Sequence, residues 1–158
     1  MSIPDAITEY LSSISASKTV MGRVEELLVV LNDVLPANMA VSQAFLSTYV
    51  DSDGGTNYDN AWFFAGDRAF EIGNFLRQEE FRFDCTFIER SIRRWEINTT
   101  KFNPIAGASV ASRIVLTIQF GVEGLGGLAG EFKASGKNCD HLYALLKRIV
   151  VPNLAGRN

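Results

Sequence analysis

The apolar residues of this chain keep two rhythms, and the change between them predicts its elements. Up to Leu35 they recur every three or four positions: first Ile3, Ile7, Leu11 and Ile14, then Val20, Val24, Leu27, Leu28, Leu31 and Val34. That spacing predicts two amphipathic helices. Pro4 suits a first helical position, and Asp5 and Glu9 suit the positive end of the helix dipole. A serine cluster (Ser12, Ser13, Ser15, Ser17) weakens the first helix. Ser17 or Thr19 can cap the second, and Pro36 stops it.

From Met39 to Ala134 the rhythm is mostly two, as in strands. Strands are expected over Met39–Val50, around Trp62–Phe64 and Phe70–Ile72, and over Phe81–Phe87, Ile92–Thr99 and Arg113–Phe120. A short last one holds Leu128, Phe132 and Ala134. Trp62 and Phe64 should share a face, continued after the Gly66-Asp67 turn by Phe70 and Ile72. Phe81, Phe83, Cys85 and Phe87 read as inward, with Arg82, Asp84 and Thr86 outward. Glycine-rich Gly121–Gly130 reads as a flexible hairpin loop. After Gly136-Lys137-Asn138 the helical rhythm returns with Leu142, Leu145, Leu146 and Ile149. This predicts a closing helix from Cys139 to Val150, capped by Asn138 and ended by Pro152.

Seven antiparallel strands and a final helix follow the order of the pleckstrin-homology-like (PH-like) barrel. Two segments resemble bacterial members of that family. Trp62-Phe63-Phe64-Ala65-Gly66-Asp67-Arg68-Ala69-Phe70-Glu71-Ile72 is similar to their strand–turn–strand unit. Phe87-Ile88-Glu89-Arg90-Ser91-Ile92-Arg93-Arg94-Trp95-Glu96-Ile97 is similar to the connection that opens their second sheet. The resemblance implies an α+β, mainly β fold: a seven-strand barrel over residues 37–152 plugged by its C-terminal helix. Residues 1–36 form a helical extension outside it and 153–158 a tail. Met39–Leu46 lacks the cations of phosphoinositide-binding relatives, so headgroup binding does not carry over.

At 158 residues, 47% hydrophobic and 21% charged, the composition is that of one globular domain. The net charge of −3 lacks the positive excess that neutralises phosphates, which disfavours a nucleic-acid partner. Asp5 and Glu9 interrupt any apolar leader, and no stretch is long and apolar enough to span a membrane, so cytoplasmic residence is expected. Cys85 and Cys139 do not make a disulfide scaffold.

Candidate chemistry is sparse. His141, the one histidine, lies beside Asp140 and near Cys139, but neighbouring helical positions point about 100° apart. It reads as a polar residue of the helix's first turn. No metal-ligand spacing is present. Asp51, Asp53 and Asp59 in the DSDGGTNYD segment depart from a calcium loop and read as a solvated hairpin. Gly124, Gly126 and Gly127 lack the helix that a phosphate loop needs. The densest positive region, Arg82, Arg90, Arg93, Arg94 and Arg113, is the candidate binding face, open to an acidic partner, lipid or phosphate surface. No catalytic, metal or cofactor residue is assigned. The expected function is a non-catalytic interaction module with a protein partner, a second copy of itself included through the Val20–Leu35 helix. A helix-grip carrier or enzyme, with an apolar ligand between sheet and helix, is the alternative.

Overall fold

The computed structural model describes residues 3–66, 68–76, 83–87, 92–99, 113–122 and 125–155; side chains are described for 3–66, 68–76, 132–145, 147 and 148. Helices α1 (Asp5–Ser13) and α2 (Lys18–Val34) lead the chain. Strands β1 (Gln43–Val50), β2 (Thr56–Ala65), β3 (Arg68–Ile72) and β4 (Phe83–Phe87) form one antiparallel sheet in that order. Strands β5 (Ile92–Thr99), β6 (Arg113–Val122) and β7 (Leu125–Ser135) form a second. Helix α3 (Asn138–Ala155) closes the chain. The fold is α+β, as expected, and its strands fall into two sheets.

The helical boundaries follow local chemistry. Ser17 Oγ accepts from the Val20 N–H at 3.3 Å and caps α2. The apolar stripes are buried: Ile7 and Leu11 on α1, and Val20, Val24, Leu27, Leu28 and Leu31 on α2, belong to the same core cluster as the strands. Val34 does not join them, being 69% exposed on the last turn. Arg23 Nε donates to the Phe75 carbonyl at 2.6 Å and ties α2 to the segment after β3.

Strand β2 is covered on both sides, since Ala61 through Ala65 are all buried. Such a run belongs to a central strand and carries no alternation. Residues directly opposite on paired strands share a face. Phe63 pairs with Phe70, Ala61 with Ile72, and Trp62 with Glu71. Phe70 and Ile72 therefore lie on the Phe63 face, not with Trp62 and Phe64 as expected. The cause is the register, which pairs even-numbered positions of β2 with odd-numbered positions of β3. Gly66, next after β2, sits at φ +60°, where a side chain would be strained. The register puts Phe83 and Cys85 opposite Ile72 and Phe70. Phe81 and Arg82 lie outside the described residues.

On the other face Phe45, Trp62 and Phe132 are each at most 2% exposed. The Trp62 and Phe132 rings lie 4.3 Å apart, and Phe45 meets Phe132 edge-on at 5.8 Å. Aromatic side chains of this size each contribute roughly 1.5–3 kcal/mol on burial. The two sheets meet where β1 hydroxyls reach β7 amides: Lys133 N–H donates to Ser47 Oγ (3.2 Å) and Ser135 N–H to Thr48 Oγ1 (3.1 Å).

Three more expectations change. Strand β1 begins at Gln43, after a turn at residues 37–38 has used Met39 N–H on the Pro36 carbonyl. The glycine-rich segment is mostly ladder: Phe120 pairs with Leu128 and Ile118 with Gly130, leaving two residues, 123–124, between β6 and β7. Main-chain pairing needs no side chains, so glycines hide a strand from any reading of periodicity. Helix α3 runs through Pro152 to Ala155, past the expected stop. On its buried side Cys139, Leu142 and Leu145 are each 1% exposed.

Candidate functional site

The richest polar arrangement lies along the outer edge of β1, between α1 and α3. Its centre is Asn138, 2% exposed at the first position of α3. Its amide does not cap the helix. Nδ2 donates to the Leu46 carbonyl (2.7 Å) and to Thr48 Oγ1 (3.0 Å), and Oδ1 accepts from the Tyr10 hydroxyl (2.9 Å). The same hydroxyl accepts from the Leu46 N–H at 2.8 Å. Both main-chain groups of Leu46 are thereby satisfied by side chains from the two ends of the sequence. Burial pushes the Tyr10 phenol well above its ordinary value, with the Leu46 and Asn138 bonds opposing. The phenol is neutral, as one that donates to an amide oxygen must be.

One turn along both helices, Ser13 Oγ and His141 Nε2 are 2.6 Å apart, and His141 stands edge-on to the Tyr10 ring at 4.8 Å. Burial lowers the pKa of His141, partly opposed by Asp140. The Ser13 hydroxyl also lies 2.6 Å from the Tyr10 carbonyl, which can only accept. With its single proton directed there, Ser13 accepts from His141 in the Nε2–H tautomer. A nucleophilic serine needs the opposite arrangement, its proton directed at an unprotonated imidazole nitrogen.

Beyond this pair opens a groove of about 560 Å³, lined by Ala6, Glu9, Tyr10 and Ser13 of α1, Ser42 and Gln43–Phe45 at the start of β1, and His141 and Arg148 of α3. Arg148 holds its guanidinium 5.2 Å above the Phe64 ring. Partial burial lowers its pKa. Neither Arg148 nor Glu9 forms an ion pair with a described residue.

The arginines of the expected face are placed only in part. Arg82 and Arg90 lie outside the described residues. Arg93 and Arg94 are on β5 and Arg113 opens β6. Arg94 pairs with Gln119, six residues along β6 from Arg113, so the two backbone positions stand about 20 Å apart. In the DSDGGTNYD loop, Asp51 Oδ1 accepts from the Asp53 and Gly55 amides at 3.0 and 2.8 Å, and Oδ2 from Asn57 Nδ2 at 2.8 Å. These bonds, the Gly55 amide foremost, hold its carboxyl below the usual range. Asp59 pairs with Lys133 at 3.3 Å. Asp51 thus serves the hairpin and Asp59 an ion pair to β7, and among the described residues no group of three or more His, Cys, Asp or Glu could hold a metal. No helix among them is long and apolar enough to cross a membrane.

Sequence reasoning misses Tyr10, Ser13, Ala44, Asn138 and Arg148. Asn138 before an apolar helix looks like a cap, and nothing local signals a partner 128 positions away. No protein-family model, curated protein or solved structure matches this chain.

Proposed function

We propose that this chain is a non-catalytic binding module of PH-like architecture that engages its partner through the groove between α1, β1 and α3. Two antiparallel meanders of four and three strands followed by a helix support the PH-like reading, and the contacts from Ser47 and Thr48 to β7 support closure of the sheets into one barrel. The observation that carries the functional reading is the bonding of Ser13. Among the described residues this serine and His141 are the arrangement that most resembles a nucleophile and its base, and the Tyr10 carbonyl takes the proton that catalysis would require.

The packing of Phe45, Trp62 and Phe132 counts against a helix-grip carrier, since these rings fill core space where such a fold keeps its ligand. Self-association through α2 has less to draw on than its sequence suggests, because five apolar residues of the stripe are buried within the same chain. A dimer through this helix would use Val29, Val30 and Val34, which are exposed.

A fluorophosphonate probe and p-nitrophenyl acetate test the reading. Wild type and Ser13→Ala should hydrolyse the ester at the same rate, and the probe should leave Ser13 unlabelled. Stoichiometric labelling of Ser13, or turnover lost in the alanine variant, would overturn it.

A further inference from the structure

The groove has a ligand chemistry of its own, and the inference rests on the binding-module reading above. Its floor includes an open piece of sheet edge. The β1–β2 register runs unbroken from Gln43 to Leu46. Leu46 directs its N–H and C=O away from β2, toward Tyr10 and Asn138. In an extended strand, residues two apart direct these groups to the same side. Ala44 therefore presents its N–H and C=O on the outer edge of β1, where it lines the groove. No described residue bonds to either group. Ala44 is only 3% exposed, and main-chain groups that buried are normally paired.

Charge is arranged around this edge in a complementary way. Arg148 on α3 and Glu9 on α1 line the same groove with opposite signs, each without an ion-pair partner among the described residues. The bond between Ser13 and His141 ties α1 to α3 beside the groove. The groove's volume, about 560 Å³, is enough for two or three residues of extended chain.

We propose that the groove binds a short extended peptide, two or three residues long with both ends free. Its carboxylate sits on the Arg148 guanidinium and its ammonium on the Glu9 carboxylate. One internal peptide group pairs with the N–H and C=O of Ala44, adding a short strand to β1. The exposed Ala6 side chain on the groove favours small apolar side chains.

The test is titration of the ¹⁵N-labelled protein with Ala-Ala-Ala, its N-acetyl form and its C-terminal amide, following amide shifts and peptide integrity in the same samples. Expected is saturable movement of the Gln43, Ala44 and Ser13 amides by the free tripeptide. Amidation or Arg148→Gln should weaken it about tenfold, the cost of one charge-assisted hydrogen bond, and acetylation or Glu9→Gln by a similar factor. Ala44→Pro, which deletes the outward N–H at an edge position, should also abolish it while the spectrum stays folded. Should Ala44→Pro unfold, the Arg148→Gln and capped-peptide comparisons decide alone. Absence of saturable shifts, or binding indifferent to both caps, overturns the peptide assignment and leaves the non-catalytic reading intact. Cleavage of the tripeptide, lost on Ser13→Ala, overturns that reading instead.

Discussion

Leu46 and Ala44 stand two residues apart on one strand, turned to the same edge, with opposite fates. At Leu46 the edge is closed, with both main-chain groups held by Tyr10 and Asn138. At Ala44 the edge opens into a groove between two helices. An unpaired strand edge templates association, and proteins cover or shorten such edges. This one is sealed by polar side chains over Leu46–Thr48 and left open for a few residues before them. A site made from an edge needs that contrast: rigid backbone beside a short length of unmet hydrogen bonding.

The sharpest way to break the comparison is hydrogen exchange. The Leu46 amide should exchange only through global opening and the Ala44 amide faster by at least about a hundredfold; equal protection would mean that Ala44 has a partner. Asn138→Ala strips buried partners from Leu46, Thr48 and Tyr10, and should cost about 3 kcal/mol in urea unfolding. Tyr10→Phe keeps the ring and loses the hydroxyl that joins Leu46 to Asn138, for about 2 kcal/mol. A loss below about 0.5 kcal/mol for either would show the Leu46 edge to be held by packing alone. Ser13→Ala removes the link at the end of the groove, where the side chain is exposed, and should cost only about 0.5–1 kcal/mol.

The smallest effect belongs to the far end of β1. The Asp51 carboxyl is held below the usual range in the folded hairpin, so its contribution is complete above the unfolded carboxylate pKa and disappears as pH falls through the lower folded value. The Asp53 and Gly55 amide resonances should therefore shift at a pH below the ordinary carboxylate range. In Asp51→Ala that acid transition should vanish while the Leu46 amide keeps its protection.

Much of the fold was legible because burial imposes a period. Both N-terminal helices, the strands with one covered face and the closing helix lie close to where the apolar rhythm puts them, and Ser17 caps α2 as its side-chain chemistry allows. The reading failed where periodicity carries no signal. A strand covered on both faces, such as Ala61–Ala65, does not alternate. The glycines of β7 have no side chains to alternate, yet their backbone pairs throughout.

The groove was invisible for a different reason. Its parts come from positions 6–13, 42–45 and 141–148, and no local pattern distinguishes Glu9 or Arg148 from any other charge on a helix. Residue order settles which faces are oily and where each helix or strand can start, because those depend on near neighbours and on water. Three-dimensional packing alone chose Asn138 as a core tie rather than a cap, turned Ser13 toward the Tyr10 carbonyl, and left the Ala44 edge open. Those outcomes hinge on which distant groups arrive within hydrogen-bond reach, and a hydrogen bond lasts only over the last few tenths of an ångström.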